Sequence, residues 1–138
     1  MKPIKQITPE FSVTGQVGLA DLSTLAGLGF KTVINNRPDG EEPGQPTNAE
    51  IAAEAKKHNL AYLHIPVVSG RMTQDNVEDF KQYLPKSTGP VVAFCRSGTR
   101  CATLWALAQA GKMNADDILN KTSAAGFDLS GLRPVLEK

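Results

Sequence analysis

The sequence has little excess charge of either sign and no long hydrophobic run. Its 138 residues carry 15 Lys and Arg against 14 Asp and Glu, a formal net charge of +1, without a basic run. The basic surface typical of nucleic-acid-binding and membrane-surface proteins is therefore missing, and we expect neither partner. Residues Met1–Lys5 lack the apolar segment of a signal peptide, and no run reaches membrane-spanning length. We accordingly expect a cytoplasmic protein.

Cysteine is scarce, since Cys95 and Cys101 are the only two. Two cysteines are too few for a disulfide framework or a four-ligand zinc site, so we expect neither a metal nor another cofactor. They fit a reducing compartment and a reactive role instead. The length of the chain suffices for one hydrophobic core and not for two, which predicts a single domain over residues 1–138.

Apolar residues recur along the chain with strand and helix periods in alternation. Strands are predicted over residues 4–7, 11–14, 31–35 and 61–67 and after Pro90, and helices over 18–28, 47–59, 73–84, 100–110 and 114–125. This order predicts an α/β sandwich with a mainly parallel sheet, a class that binds ligands at the carboxyl ends of its strands.

The predicted loop over residues 36–46 is dense in turn formers and carries three carboxylates, Asp39, Glu41 and Glu42. A loop of that length between regular elements is more often functional than idle, although a solvated surface loop is the alternative. His64, between Leu63 and Ile65 in a predicted strand, is expected to form structural hydrogen bonds.

The chain is organised around residues 90–105, where a short apolar strand turns into a helix through Cys95–Thr99. Such a turn directs several backbone N–H groups and the positive end of the helix dipole to one point, which makes an anion cradle. Cys95 is at its floor, where these amides and the guanidinium groups of Arg96 and Arg100 favour a nucleophilic thiolate. The alternative is a buried structural cysteine.

Two families of enzymes use a cysteine in such a cradle. Four residues separate Cys95 from Arg100, and this spacing resembles the Cys-Arg-x-Gly-x-Arg loop of rhodanese-like sulfurtransferases, whose cysteine carries a persulfide. Cysteine-dependent phosphatases have five residues there, and their thiolate attacks phosphorus while an acid protonates the leaving oxygen. A third hypothesis is a module that binds phosphate or sulfate groups without turnover.

Four motifs extend the comparison to the rest of the chain: Ile7–Glu10, Val33–Glu41, His64–Val67 and Phe94–Arg100. Through them, residues 7–134 resemble the bacterial DUF442 family, the phosphatase-like domain of beta-lactamase-hydrolase-like proteins, which also occurs fused to modules of sulfur metabolism. That family is similar in fold to the dual-specificity protein tyrosine phosphatases. The resemblance implies a protein tyrosine phosphatase-like sandwich with helices on both sheet faces. It also implies a hydrolase for phosphorylated proteins or small phosphoesters such as aryl phosphates, acting through a cysteinyl-phosphate.

The resemblance assigns the roles of nucleophile and oxyanion clamp to Cys95 and Arg100. It implies a phosphate-binding loop made of Arg96, Ser97, Gly98, Thr99 and Arg100. Phe94 replaces the His that precedes the phosphatase cysteine. The strand-end loop that holds the phosphatase acid has no Asp over residues 67–71, so we expect the acid to be Asp75 or Asp39, or to be missing.

Cys101 stands where these phosphatases keep a hydroxyl that hydrogen-bonds the thiolate, and a thiol is expected to do this poorly. The strand-to-helix reversal brings the two cysteines within or near disulfide range, which predicts that Cys101 condenses with an oxidised Cys95 and rescues it. The alternative is that Cys101 packs inward as a small hydrophobe.

Overall fold

The computed structural model, which describes residues 1–137, contains one five-stranded sheet. The strands are β1 (Lys5–Thr8), β2 (Phe11–Thr14), β3 (Thr32–Asn35), β4 (Ala61–His64) and β5 (Val91–Phe94). Their spatial order is β1-β2-β5-β3-β4. The β1–β2 pair is antiparallel and the other three pairs are parallel, so the predicted mainly parallel sheet is confirmed.

Six α-helices accompany the strands in the described part of the chain. They are α1 (Asp21–Gly27), α2 (Asn48–Lys57), α3 (Gln74–Tyr83), α4 (Thr99–Gln109), α5 (Ala115–Ala124) and α6 (Arg133–Leu136). Short 3₁₀ turns lie at Leu84–Lys86 and Ser130–Leu132. Over residues 1–137, no helix combines the length and the apolar character needed to cross a bilayer.

Helices cover both faces of the sheet, as predicted. Strand β5 is buried throughout, and its side chains alternate between two hydrophobic cores. Val92 and Phe94 pack with α1 and α2 in the smaller core, whereas Val91 and Ala93 pack with α3, α4, α5 and α6 in the larger one. Cys95 continues this alternation into the larger core, on the side of α4.

Three predicted boundaries differ from the structure. Helix α1 begins at Asp21, because the Asp21 carboxylate accepts a hydrogen bond from the Gly18 N–H (2.8 Å) and the preceding residues form a turn. Strand β4 ends at His64 instead of residue 67. Helix α5 is not the last helix, since α6 follows and buries Leu136, which is 3% exposed. A four-residue helix is too short to show a helical period in the sequence.

The predicted helix starts are otherwise confirmed by their caps. The Thr47 hydroxyl accepts from the Glu50 N–H (3.1 Å) and the Glu50 carboxylate accepts from the Thr47 N–H (2.9 Å), which completes the capping box of α2. Asn114 caps α5 by accepting from the Asp117 N–H at 2.8 Å.

The parallel strands place three loops at one edge of the sheet. These loops follow the carboxyl ends of β3, β4 and β5. Two backbone hydrogen bonds connect them: the Asn36 N–H donates to the Phe94 carbonyl (2.8 Å), and the Val67 N–H donates to the Asn36 carbonyl (3.0 Å). The loop with three carboxylates, the loop over residues 65–73 and the loop of Cys95 therefore meet there.

Candidate active site

The turn from β5 into α4 depends on Gly98. This residue precedes α4 with a φ of 92°, in the left-handed region that favours glycine. A Cβ at Gly98 would stand 3.3 Å from the Phe127 ring and 3.4 Å from the Thr14 carbonyl oxygen. The turn directs the Gly98 N–H to the sulfur of Cys95, with a nitrogen–sulfur distance of 3.1 Å.

Cys95 is buried, with 1% of the residue exposed, yet its surroundings favour the anion. The pKa of its thiol is lowered to about 5, above all by hydrogen bonding from the side chain of Cys101 and further by the backbone amides of Cys101, Ser97 and Gly98; burial opposes this shift. Burial, together with the neighbouring Cys95, raises the pKa of Cys101 well above its ordinary value. At neutral pH these two shifts favour a thiolate at Cys95 beside a neutral thiol at Cys101.

Cys101 occupies the position from which a hydroxyl was expected to serve the thiolate, and its side chain is the main cause of the lowered pKa of Cys95. Cys101 lies in the first turn of α4, fully buried, so its S–H has no competing water and is available to the Cys95 sulfur. The guanidinium of Arg96 acts elsewhere: its side chain is 70% exposed and its Nε lies 3.3 Å from Glu42 Oε1. Arg100 is the arginine attracted to Cys95, and this attraction contributes to raising the pKa of Arg100.

Arg100 is held by the two loops beside its own. Its Nη1 donates to the Val67 carbonyl oxygen (2.8 Å) and to Glu41 Oε2 (2.9 Å), and its Nη2 donates to Glu41 Oε1 (2.9 Å). A guanidinium has five N–H donors, and these contacts use three of them. The remaining two, on Nε and Nη2, lie along one edge of the planar group, which is the edge that can bind an anion with two parallel hydrogen bonds.

Glu41 is the functional residue that the sequence analysis did not single out. Its carboxylate also accepts from Nε of Arg37 at 2.7 Å, and Arg37 is 2% exposed. Arg37 further donates to Gln16 (2.8 Å) and to Glu42 (2.5 Å), so its buried charge is fully compensated. The pKa of Glu41 is lowered mainly by hydrogen bonding from Arg100, and hydrogen bonding from Arg37 lowers it further. Glu41 is thus ionised and is no proton donor at neutral pH.

The sequence contained a partial signal for this residue. The loop over residues 36–46 was expected to be functional because of its length and its three carboxylates. Nothing in the spacing pairs Glu41 with Arg100, since 59 positions separate them. Only the parallel sheet, which brings the ends of β3 and β5 together, selects Glu41 from the three acids.

The two carboxylates predicted as candidates for the general acid lie at helix starts. Asp39 accepts a hydrogen bond from the backbone N–H of Asn48 (2.7 Å), the first residue of α2. Asp75 lies exposed in the first turn of α3, where the helix dipole favours a negative charge. His64 contacts the Arg37 carbonyl oxygen through Nε2 (3.0 Å), in agreement with the structural role expected of it.

A cavity of about 610 Å³ opens over the Cys95 turn. It is lined by Val67, Val68, Ser69, Gly70, Met72, Arg96, Ser97, Thr99, Arg100, Thr103, Leu107 and Leu132. Four of the five predicted phosphate-loop residues are among them, and the fifth, Gly98, lies between Ser97 and Thr99. Neither Asp39 nor Asp75 is among them, and among the described residues that line this cavity none has a carboxyl group. Cys95, which is 1% exposed, is not among the lining residues either, so the cavity presents the Arg100 guanidinium and the residues of the turn above the buried sulfur.

Comparison with known proteins gives a consistent result. Residues 3–112 match the family described as beta-lactamase hydrolase-like protein, phosphatase-like domain. The chain is 38% identical, over its whole length, to a beta-lactamase hydrolase-like protein of Agrobacterium fabrum, of which it spans 32%. It thus covers about a third of the length of that curated relative.

Two solved structures are similar to the chain. One is the crystal structure of a proposed phosphatase from Neisseria meningitidis Z2491, with a TM-score of 0.84 and 36% identity over 96% of this chain and 95% of that one. The other is Tk-PTP in its active form, with a TM-score of 0.75 and 15% identity over 96% of this chain and 92% of that one. The predicted protein tyrosine phosphatase-like fold is confirmed by the second likeness.

Alkylation of Cys95 by iodoacetamide is expected to show a midpoint near pH 5, because the thiolate is the reactive form. Cys101→Ala should raise this midpoint by removing the S–H donor, whereas Cys101→Ser, which keeps a donor, should leave it low. Mass spectrometry of native protein labelled at a series of pH values measures the midpoint. A wild-type midpoint at or above 8.5, or an equal effect of both substitutions, contradicts the assignment.

Proposed function

The chain belongs to the family of phosphatase-like domains of beta-lactamase hydrolase-like proteins, and we propose that it is a cysteine-dependent phosphatase acting on phosphate monoesters. The observation that carries the proposal is the lowered pKa of Cys95 in the turn that begins α4, whose Gly98 amide donates to the sulfur and whose Arg100 has two N–H donors left over. A phosphate group needs these three components, which are a nucleophile, a bidentate guanidinium and N–H donors.

The proposed reaction has two displacements. The Cys95 thiolate attacks phosphorus, the bond to the ester oxygen breaks, and the leaving group departs with the bonding electron pair. Water then attacks the cysteinyl-phosphate, the sulfur–phosphorus bond breaks, and inorganic phosphate and the thiolate are released. Arg100 and the loop amides stabilise the equatorial oxygens in both steps.

Arg100 can perform this role because Glu41 and Val67 orient it. With Nη1 engaged twice and Nη2 once, the guanidinium plane is held before substrate arrives. The arrangement reduces the entropy that the side chain would lose on binding. Glu41 is therefore a positioning residue in this proposal, and Arg37 fixes Glu41 in turn.

The absence of a side-chain acid from the cavity lining bears on the choice of substrate. A departing alkoxide needs a proton, whereas a phenoxide is stable enough to leave with little assistance. We therefore favour aryl phosphates, either small molecules or phosphotyrosine in a protein, over esters of simple alcohols.

A rhodanese-like sulfurtransferase is the second candidate, because the loop has four residues between Cys95 and Arg100. In that reaction the Cys95 thiolate takes the outer sulfur of thiosulfate, releases sulfite, and passes the sulfur to cyanide. The same cradle would then hold the sulfite group.

Paired assays on one preparation distinguish the candidates. Hydrolysis of p-nitrophenyl phosphate is expected, with no thiocyanate formed from thiosulfate and cyanide, and Cys95→Ser should abolish the hydrolysis. Thiocyanate production that depends on Cys95, without phosphatase activity, would instead establish the sulfurtransferase. Phosphate binding by calorimetry with neither activity would leave a binding module.

Arg100→Lys should lower kcat/KM for the aryl phosphate by about 10²- to 10³-fold, because a point charge cannot replace the bidentate fork. Arg96→Lys is the matched control and should have a much smaller effect, since Arg96 is exposed and pairs with Glu42. Circular dichroism verifies that both variants are folded. If Arg96→Lys is the more damaging substitution, the clamp has been assigned to the wrong arginine.

A leaving-group series tests the missing acid. Asp75→Asn and Asp39→Asn should both keep the wild-type ratio of kcat/KM between an activated phenyl phosphate and a poor substrate such as an alkyl phosphate, because neither carboxylate lines the cavity. A selective loss of about 10²-fold or more on the poor substrate in either variant would identify that residue as the acid.

A further inference from the structure

The cavity over the Cys95 turn extends well beyond the space that a phosphate group needs. Thr99, Thr103 and Leu107 line it at successive turns of α4, and the last is about 12 Å along the helix from the first. The opposite wall is the loop after β4, and Leu132 closes the far side. The cavity is therefore a groove that begins at the anion cradle and follows α4.

The chemistry of the groove changes along its length. Arg96, Ser97, Thr99 and Arg100 lie at the cradle end. Beyond them the Thr103 hydroxyl donates to the Thr99 carbonyl oxygen (2.8 Å) and is thereby used within the helix. Four apolar residues, Val68, Met72, Leu107 and Leu132, dominate the remaining wall, while Val67 is 1% exposed and contributes little surface. Ser69 and Gly70 belong to the loop after β4.

Charge is confined to one end. Among the described residues that line the groove, Arg96 and Arg100 are the only cations, and both belong to the Cys95 turn. A ligand with several phosphates would find no second counter-charge along α4. Val68, an apolar residue of this lining, is 52% exposed.

We infer that the groove is a subsite for an extended apolar group, so that the natural substrate is an amphiphile with one anionic head and an aryl-alkyl body. This inference rests on the proposed function for the head group, which enters the cradle of Cys95 and Arg100. The body then runs along α4 from Thr103 to Leu107. Burial of each methylene there strengthens binding through the hydrophobic effect.

Alkylphosphonates of increasing chain length test the subsite without turnover. Their affinity is measured by protection of Cys95 from iodoacetamide and by calorimetry, below the concentrations at which they form micelles. Each fully buried methylene is worth about fourfold in affinity, so we expect octylphosphonate to bind at least about tenfold more tightly than butylphosphonate in this open groove. Octyltrimethylammonium, with the same tail and a cationic head, should not protect Cys95.

Two matched variants test whether the dependence of affinity on chain length arises in the groove. Val68→Ser, in the groove, should reduce the octyl-to-butyl affinity ratio, whereas Val135→Ser, a similarly exposed valine on α6 outside it, should not. Equal affinity for the two phosphonates, an equal effect of the two variants, or protection by the cationic amphiphile overturns the inference.

The outcome for the subsite is distinguishable from that for the proposed function. If p-nitrophenyl phosphate is not hydrolysed but the chain-length ratio and its dependence on Val68 are found, the phosphatase proposal fails and the amphiphile subsite stands. If hydrolysis is found but the ratio is absent, the phosphatase proposal stands and the subsite fails.

Discussion

The site depends on the Glu41 carboxylate, which lies between the buried guanidinium of Arg37 and that of Arg100. Removing the partner of a buried charged group typically lowers the free energy of unfolding by about 3–5 kcal/mol. Arg37 therefore holds its partners Glu41 and Glu42 in place. Glu41, fixed in this way, in turn orients the guanidinium of Arg100 in the helix that follows strand β5. The loop after β3 is consequently part of the active site although it contributes no group to the cavity lining.

The pair of cysteines replaces a more usual way of making a thiolate. The preceding residue is Phe94, whose side chain is buried in the opposite core and has no hydrogen-bond donor. The negative charge on Cys95 is instead stabilised by a thiol and by amides at the start of α4. Because Cys101 is fully buried, its proton stays in place and its dipole is not screened by water. Its proximity to Cys95 also keeps open the predicted role as a resolving cysteine under oxidation.

Two arginines and two glutamates lie close together around the Cys95 turn, in a chain whose charges nearly balance. A net charge of +1 gives no general attraction for anions, and the positive field at the Cys95 turn is local. Glu41 and Glu42 neutralise part of it, so a single anionic group is favoured over a polyanion. In the proposed amphiphile subsite, the apolar groove along α4 would supply the remaining recognition.

The sequence by itself determined the class of fold and the starts of α2 and α5, and it predicts Cys95 as the nucleophile. These follow from local signals: the alternation of strand and helix periods, the capping residues of α2 and α5, and a Cys-Arg-Ser-Gly-Thr-Arg turn between an apolar strand and a helix. Glu41, the buried state of Arg37, the helix-capping position of Asp39 and the donor role of Cys101 required the tertiary structure. Each depends on contacts between loops brought together by strand order, or on burial that changes the strength of a hydrogen bond, and neither is encoded in local spacing. The short helix α6 escaped prediction for a related reason, since it is held by packing of Leu136 against the core and not by a periodic pattern of its own.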